Sequence, residues 1–456
     1  MTHLARVLSL SGLLLFAAAA VPSNGTAWVV TPELGYGSGA AAMPNGDVLT
    51  CGQSNGADLD DFSLRRQSGL DGTDVWRYTL DGSAPDIPGS YNDFAGDVAL
   101  DGAGDVIAAG NTRNAGTGLD LQIVKLDASG VPIWTRTLDS ASSTNDEYRG
   151  LAVHSGGDVV VSGVFGVSFS FPRSSYTFTT VRLAGATGAP LWQHDIVGNP
   201  RARAGVIQFD PAGNVIVSGD METTPQQQDA VVAKLDGATG GELWRTVLDG
   251  DLPNDYDSAN ALTVDASGDV YVGCLIAASG ADGFSVIKLS GATGGVVWRY
   301  DHPSASSTSG LPVRLLLDGS GNLYAVGLVD EDTHLVKLSA ASGLPVWDRR
   351  YRRSFFIGVT PLTDGDLVLG GSYRYSFAIQ RVASADGRKR WRRKLRANSY
   401  NGGFVSTVTT DAAGEVVAVG GSVTPIPKGK VNGYPSYTVV KACSANGSVR
   451  DTTACP

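Results

Sequence analysis

The stretch Lys234-Leu-Asp-Gly-Ala-Thr-Gly-Gly-Glu-Leu-Trp244 decides the fold of this chain. It predicts the end of one β-strand, a tight Gly-containing turn, and the start of a second strand that carries a Trp. Variants recur along the chain, for example as Lys125-Leu-Asp followed by Trp134. A recurring unit of this kind predicts a repeat architecture, which overrides the two or three domains that 456 residues would otherwise suggest.

A second motif precedes the first in each unit: an Asp or small residue, then Gly, then a polar residue before an apolar run. It occurs eight times, for example as Asp101-Gly-Ala-Gly-Asp-Val106 and Asp265-Ala-Ser-Gly-Asp-Val270. Asp and Asn start such turns by bonding their own backbone, and Gly adopts the positive φ. Each unit then holds four strands, which we predict in the second unit at 95–100, 105–110, 120–127 and 131–138.

The Trp residues mark the repeat and show how it closes. All eight fall at equivalent positions: Trp28, Trp76, Trp134, Trp192, Trp244, Trp298, Trp347 and Trp391. The C-terminal copy, Lys441-Ala-Cys-Ser-Ala-Asn-Gly447, lacks a Trp, whereas Trp28 stands in register before the first unit. We therefore predict an all-β fold, an eight-bladed β-propeller of four-stranded antiparallel blades. The N-terminal strand around Trp28 would complete the last blade by pairing with the strand at 435–442, which removes the open ends of a linear array.

The N-terminus resembles an export signal. A short segment with one Arg precedes an apolar run over 7–20, which ends in the small residues Ala18-Ala19-Ala20. We predict a signal peptide at 1–20 and a single propeller domain at 21–456, with repeats over about 28–447 and a short tail at 448–456. No Cys follows the run and no later segment is long and apolar enough to span a bilayer, so we expect a secreted or periplasmic protein.

The positions of the four Cys residues and the net charge indicate further properties of the protein. Export permits disulfides, and Cys443 and Cys455 are close enough in sequence to close a small loop. Cys51 and Cys274 each end a predicted inner strand in distant units, so we expect buried free thiols there. The formal net charge of −10 argues against a general nucleic-acid role. We expect a monomer.

The Lys-Leu-Asp-x-x-Thr-Gly-x-x-x-Trp motif resembles the Trp-docking motif of pyrroloquinoline-quinone-type (PQQ-type, quinoprotein-like) eight-bladed propellers. The turn Asp210-Pro-Ala-Gly-Asn-Val-Ile-Val-Ser-Gly219 is similar to the SBBP-type β-propeller repeat. The resemblance covers residues 28 to about 447. It implies either a quinoprotein dehydrogenase that holds a quinone and Ca²⁺, or a scaffold that binds proteins, as in outer-membrane protein assembly. The adjacent Cys pair of the dehydrogenases is absent, because no two Cys are neighbours here.

Tight and long connections alternate in each unit, so the long loops should share one face, the default place for a ligand or partner. An acidic element recurs on this face, and we single out Asp93, Asp146 and Asp255. These residues could form a carboxylate ring that binds a cation or a basic ligand, or they could fix the turns between units. The second interpretation is favoured, because hard cations need six or more oxygens in a compact cage and these acids lie in separate units.

The seventh unit is basic, with 13 Lys and Arg against 4 Asp over residues 348–396. In its predicted outer strand, alternation should turn four basic side chains outward: Arg390, Arg392, Lys394 and Arg396. They could simply protect an edge strand from pairing with another chain, or they could bind an anionic partner such as a polysaccharide, lipid headgroups or an acidic protein.

The third unit carries an aromatic insertion at 165–178 that is either an apolar docking surface or a lid packed over the blade.

Evidence for catalysis is weak. His154, His194, His302 and His334 fall at unrelated repeat positions, and no His-Glu-x-x-His, Gly-x-Ser-x-Gly or phosphate-loop motif occurs. We predict no catalytic, cofactor-binding or metal-ligating residues, and a quinone or Ca²⁺ enters only through the resemblance. The sequence favours an exported binding or scaffold module with a protein or glycan partner on the long-loop face. The alternatives are a quinoprotein-like oxidoreductase with a site in the central funnel, or a surface adhesin.

Overall fold

The computed structural model describes residues 27–448 and Cys455, apart from connecting segments. The segments outside the description within that range are 32–34, 55–60, 85–92, 141–143, 169–174, 199, 225–226, 251–255, 279–280, 304–309, 396–401 and 423–435. The predicted signal peptide and most of the tail lie outside the described residues. Within them, no helix is long and apolar enough to cross a membrane.

The described chain is built from 32 strands. The first sixteen are β1 Trp28–Val30, β2 Gly35–Ala42, β3 Val48–Ser54, β4 Asp61–Gln67, β5 Asp74–Leu80, β6 Phe94–Leu100, β7 Val106–Asn114, β8 Gly118–Leu126, β9 Pro132–Leu138, β10 Asn145–Val153, β11 Val159–Ser168, β12 Ser175–Leu183, β13 Pro190–Ile196, β14 Ala202–Phe209, β15 Val215–Thr224 and β16 Gln227–Leu235. The others are β17 Glu242–Leu248, β18 Ser258–Val264, β19 Val270–Ala278, β20 Ala281–Leu289, β21 Val296–Asp301, β22 Leu311–Leu317, β23 Asn322–Val329, β24 Asp332–Ser339, β25 Pro345–Tyr351, β26 Ser354–Pro361, β27 Leu367–Tyr373, β28 Ser376–Val382, β29 Lys389–Lys394, β30 Phe404–Thr410, β31 Val416–Ser422 and β32 Ser436–Ala442.

These strands form eight four-stranded antiparallel sheets, which we number as blades in chain order from β2–β5 (blade 1) to β26–β29 (blade 7). Blade 8 has the order β30-β31-β32-β1. The first strands of successive blades contact one another, and β30 contacts β2, so they line the centre of a closed ring. Second strands such as β3 and β31 are buried along their whole length, while outer strands such as β5 are half exposed. The predicted all-β, eight-bladed propeller is confirmed.

The turn between the first two strands of a blade shows why the repeated Asp and Gly are needed. The Asp101 carboxylate accepts hydrogen bonds from the Ala103 and Asp105 N–H groups at 2.9 and 3.0 Å. Gly104 in the same turn has φ +86°, a backbone conformation that residues other than Gly rarely adopt. The side chain of Asp101 therefore replaces a partner that the backbone would otherwise lack, and β6 can reverse into β7 within five residues.

The clasp that closes the ring is the pairing of β1 with β32, in which Trp28 lies opposite Lys441. This is the strand pairing that the missing eighth Trp predicts, and it is confirmed. Trp28 is only 2% exposed. The Lys441 ammonium is also buried, where it forms an ion pair with Asp411 at 2.6 Å and donates to the Gly69 carbonyl at 2.8 Å. Because Gly69 belongs to blade 1, the clasp joins the last blade to the first.

Every Trp links its blade to the next one around the ring. Each indole N–H donates to a backbone carbonyl in the turn that follows the third strand of the next blade, at 2.9–3.3 Å. In the motif quoted first, Trp244 bonds Gly291, and Lys234 donates to the same carbonyl while pairing with Asp210 at 2.8 Å. Hydrophobic clusters accordingly span neighbouring blades, so the core lies between blades rather than at the axis.

One face carries the connections between second and third strands and between blades, but they are not all long. Among the described connections, the one in blade 2 has three residues, at 115–117, and those of blades 6 and 7 shrink to two-residue turns at 330–331, 352–353 and 374–375. These turns hold all the positive-φ residues other than Gly in the described chain: Asp330, Glu331, Arg353, Arg374 and Tyr375. The prediction of long loops throughout this face is therefore wrong at these short connections. We call this face of the ring the loop face below.

The four Cys residues are placed as follows. Cys443 and Cys455 form a disulfide with a Cα–Cα distance of 5.3 Å, which ties the tail to the end of β32. Cys51 and Cys274 are buried free thiols in β3 and β19. Burial raises the pKa of both thiols well above the usual value, which is the behaviour of small apolar residues rather than of reactive thiolates.

Candidate functional site

A polar cluster lies at the loop-face ends of blades 3 to 5, and we call it the Asp220 cluster. Asp220 is buried, whereas Tyr256 is 40% exposed. Asp220 accepts hydrogen bonds from the Tyr256 hydroxyl and the Gln228 amide, both at 3.3 Å. The Arg203 guanidinium lies 5.1 Å from the centre of the Tyr176 ring. These residues come from β15, β16, β14, β12 and the segment between blades 4 and 5, so the blade array brings together side chains that are distant in sequence.

The electrostatics of this cluster are unusual. Burial raises the pKa of Asp220 to about 6, against the opposing effect of the Arg203 and Arg149 charges. Burial and the Asp220 charge raise the pKa of Tyr256 to about 12. A carboxyl group with such a pKa can hold or release a proton near neutral pH, a property that is common at functional sites but also found in structural networks.

The raised pKa of Asp220 predicts a pH-dependent stability. Its folded-state pKa lies above the ordinary value of 3.8, so the folded protein holds this proton more tightly than the unfolded chain. The resulting stabilisation is fully present below about pH 4 and is lost as pH rises through about 6, a change of up to about 3 kcal/mol. We expect Asp220→Asn to gain stability relative to the parent between pH 4 and pH 7.5 in urea unfolding. A difference that does not change with pH would contradict this assignment.

The two acidic residues singled out in the sequence that the structure describes, Asp93 and Asp146, each bond backbone N–H groups at their own junction between blades. Asp93 accepts from the Gly82 and Arg113 N–H groups at 2.7 and 2.5 Å, so it ties an inter-blade connection to the neighbouring hairpin. Asp146 does the same with the N–H groups of Ser140 and Gly166, at 2.7 and 2.8 Å. The third predicted member, Asp255, lies outside the described residues.

At the junction of blades 4 and 5, the equivalent position is Asp257, two residues beyond the predicted one. It accepts from the Gly250 and Ala277 N–H groups at 2.7 and 2.6 Å. The described acids of this element thus act as turn-fixing residues, each within its own junction.

The structure does bring other carboxylates together, at two equivalent junctions. Asp120, Asp139 and Asp146 place oxygens within 4.8 Å of one another, and so do Asp229, Asp249 and Asp257. Burial, with the Asp139 charge, raises the pKa of Asp120, and burial with the Asp249 charge raises that of Asp229. These groups could not be predicted from the repeat pattern, because their members come from the third strand, the end of the fourth strand and the next blade.

The predicted basic strand is only partly available as a surface. Arg390 and Lys394 are exposed on β29, and Arg390 lies 3.5 Å from Asp366. Arg392 is half-buried: it donates to the Gln380 side chain at 2.6 Å, and its guanidinium lies 3.6 Å from the centre of the Tyr373 ring. Arg396 lies outside the described residues. The strand therefore does not present Arg392 with its neighbours to a partner.

A different basic surface lies on the loop face of blades 6 and 7, and we call it the loop patch. It consists of Arg352, Arg353, Arg374 and Tyr375, all exposed. Tyr375 is 85% exposed. Arg374 and Tyr375 adopt φ of +48° and +61° in a two-residue hairpin turn, where Asn-Gly is the preferred sequence. Nothing in the repeat pattern predicts this turn, because it requires the shortened connections of these two blades.

The aromatic insertion of blade 3 is packed wherever the structure describes it. Phe178 and Tyr176 are buried, and Phe165 packs against the core between blades 2 and 3. Residues 169–174 lie outside the description. The described part therefore corresponds to a packed element rather than an exposed docking surface.

Two histidines from adjacent blades converge on one carboxylate. His302 follows the outer strand of blade 5, His334 lies on β24 in blade 6, and Asp348 lies on β25. The His302 Nε2 atom is 3.0 Å from the Asp348 carboxylate and His334 Nδ1 is 3.1 Å from it. Although burial acts in the opposite direction, these hydrogen bonds hold the pKa of Asp348 well below its usual range. The sequence missed this cluster because its two His occupy different repeat positions.

Comparison with known proteins places the chain in a family. The sequence model described as outer membrane protein assembly factor BamB matches residues 177–327 and 282–454, which together cover more than half of the chain. The chain belongs to this BamB family. No curated protein matches the sequence. The match supports the PQQ-type resemblance, whereas the resemblance to SBBP-type repeats stays a prediction.

Several solved structures are similar to this BamB-family chain at low sequence identity. BamB from Moraxella catarrhalis is 16% identical over 85% of this chain and 95% of that chain, with a TM-score of 0.49. Quinohemoprotein alcohol dehydrogenase from Comamonas testosteroni is 13% identical over 94% and 77%, with a TM-score of 0.60. The Dos1 propeller is 11% identical over 91% and 95%, with a TM-score of 0.61. The last two share the propeller fold with this chain, and identities this low establish no shared activity.

The Cys pair that the quinoprotein resemblance implies has no counterpart in this BamB-family chain. Cys51 and Cys274 lie in different blades, and Cys443 is bonded to Cys455, so no adjacent thiol pair exists. The described residues include four clusters of His, Cys, Asp or Glu that could bind an ion. Each cluster contains a residue that lies in, or directly after, the third strand of a blade. None is built only on the innermost strands, so we derive no step through a quinone.

Proposed function

We propose that this protein is an exported scaffold propeller that binds an acidic segment of a protein partner through the loop patch of blades 6 and 7. The observation that carries the proposal is Tyr375, which is 85% exposed on a turn in which neither central residue is Gly. Backbone held in a sparsely populated conformation costs free energy and clusters at functional positions. An exposed large side chain on such a turn therefore points to binding.

The chemistry of the patch matches that of protein interfaces. Tyr and Arg are the side chains enriched among the residues that dominate binding energy. Three arginines share the two neighbouring turns with Tyr375: Arg352, Arg353 and Arg374. The Arg374 N–H donates to the Arg353 carbonyl at 2.9 Å and so joins the two turns. Their charge contrasts with the net charge of −10 of the whole chain, so a partner with local negative charge would be steered to this side.

Family membership gives the setting for this proposal. The BamB family model is described as an outer membrane protein assembly factor. The predicted signal peptide at 1–20 would deliver this chain to the same compartment. We therefore place the protein in the periplasm or at the outer membrane, as a binding module.

Site-specific photocrosslinking tests the proposal. A photoreactive amino acid at position 375 in the full-length chain, expressed in its native envelope, should yield an adduct with an envelope protein. The matched control is position 344, because Leu344 is 67% exposed in a tight turn on the opposite face. Arg352→Glu combined with Arg374→Glu should reduce the adduct at position 375. Equal adducts from both positions, or a yield that charge reversal leaves unchanged, would reject the loop patch as the binding surface.

A further inference from the structure

We propose that His302, His334 and Asp348 form a binding site for a divalent transition metal ion, with Zn²⁺ the preferred occupant, at the junction of blades 5 and 6. The site goes beyond scaffold binding, because it would join blades 5 and 6 to each other. It lies near the loop patch, since Asp332, two residues before His334, accepts a hydrogen bond from the Arg353 N–H. Its three ligands are two imidazoles and one carboxylate, which is a common set for Zn²⁺.

The spacing of the donor atoms fits one ion. The three donor atoms all lie within 4.8 Å of one another. The His302 Nε2–Asp348 and His334 Nδ1–Asp348 distances are 3.0 and 3.1 Å, and a second His334–Asp348 oxygen distance is 3.4 Å. Donors in a tetrahedral site with Zn–N bonds of about 2.0–2.1 Å lie about 3.3 Å apart. An ion therefore needs only small side-chain adjustments to enter.

The two imidazoles are held in place by their burial, while Asp348 is open to solvent. Both imidazoles are buried, and their ring centres lie 4.7 Å apart in an edge-on arrangement. His302 also packs against Phe284 at 5.4 Å. The Asp348 side chain is 37% exposed, so an ion can reach the site from solvent and keep a water molecule as a fourth ligand.

The second nitrogen of His302 sets the expected strength of the site. His302 Nδ1 is buried and has no hydrogen-bond partner among the described residues. Metal-ligating imidazoles usually donate their other N–H to an acceptor, and loss of such an outer partner typically costs about 10- to 100-fold in affinity. We therefore expect affinity below that of a closed structural zinc site, with a role in stabilising the folded ring rather than in permitting it to fold.

Zinc titration of the mature chain tests the assignment. The protein is prepared without a polyhistidine tag, treated with a chelator, and titrated with ZnCl₂ by calorimetry. We expect one equivalent bound, and we expect His302→Gln, His334→Gln and Asp348→Asn each to weaken binding by about tenfold or more. The matched control is His194→Gln, because His194 pairs with Glu242 in blade 4 and belongs to no cluster of three ligands in the described chain. It should bind Zn²⁺ like the parent.

A second measurement keeps the test independent of how the variants fold. Co²⁺ added to the unmodified protein should give the intense visible absorption of a four-coordinate site with nitrogen ligands, and Zn²⁺ should displace it. Saturating Zn²⁺ should also raise the Tm of the parent and of His194→Gln, but not that of His334→Gln. Zinc affinity equal in the parent and the ligand variants, or a Co²⁺ spectrum like that of the free hydrated ion, would overturn the proposal.

Discussion

Trp28→Ala is expected to lower the free energy of unfolding by about 3–5 kcal/mol, the range for truncating a large buried aromatic side chain. Trp28 is 2% exposed, donates to the Gly69 carbonyl at 3.2 Å, and covers Gly72 of blade 1. Trp28 lies on β1, a strand of three residues whose only neighbour in the sheet is β32. Loss of the indole therefore weakens both the edge of blade 8 and its contact with blade 1. Urea unfolding at neutral pH measures the change.

Trp76→Ala provides the comparison within the same chain. Trp76 occupies the equivalent position in blade 1 and makes the same kind of hydrogen bond, to the Ala128 carbonyl at 3.1 Å, but it is only partly buried. Its replacement should therefore cost less than that of Trp28. Deletion of residues 26–32 should destabilise the protein at least as much as Trp28→Ala. A deletion variant that melts like the parent would show that the clasp contributes nothing to stability.

Lys441→Met should also destabilise the protein by about 3–5 kcal/mol, for an electrostatic reason. The ammonium of Lys441 is buried against the buried carboxylate of Asp411, at 2.6 Å. Removing one member of such a pair leaves an uncompensated charge inside the protein, whereas replacing both members can be close to neutral. We therefore expect Lys441→Met combined with Asp411→Asn to recover much of the stability that Lys441→Met loses, as measured by urea unfolding.

Arg381→Met is the matched control for this second prediction. Arg381 occupies the equivalent position in blade 7, where it pairs with Asp366 at 2.9 Å and also with the exposed Asp364. These side chains are less completely buried than Lys441 and Asp411, so solvent screens their charges better and the loss should be the smaller one. If Lys441→Met costs no more than Arg381→Met, or if the double variant is no more stable than Lys441→Met alone, the buried pair is not the source of the effect.

The fold was predictable because one local unit specifies it eight times. The turn signal around Asp101 and the spacing of the Trp residues give strand order and blade number without any long-range information. The clasp followed from a single irregularity, the Trp missing after Lys441. The shortened turn at 374–375 did not follow, because the same alternation of strands tolerates connections of any length.

The candidate sites were harder to predict because each is assembled across a junction between blades. His302 and His334 meet only because the end of one blade's outer strand lies beside the third strand of the next. Asp146 meets Asp120 and Asp139 for the same reason. Arg392 has the alternation expected of an outward residue, yet the Tyr373 ring beneath it holds it against the blade. Sequence periodicity describes one blade at a time and contains no information about such junctions.

The hydrogen bond from Lys441 to Gly69 joins residues that are 372 positions apart, and this has a consequence for biogenesis. A contact between the two ends of the chain forms late, since the entropy of closing so long a loop must be overcome before the contact can stabilise anything. Until residues near 441 have been synthesised, β1 has no partner and blade 1 keeps one side uncovered. Closure of the ring therefore waits for β32, and a product truncated before β32 should be left open to proteases.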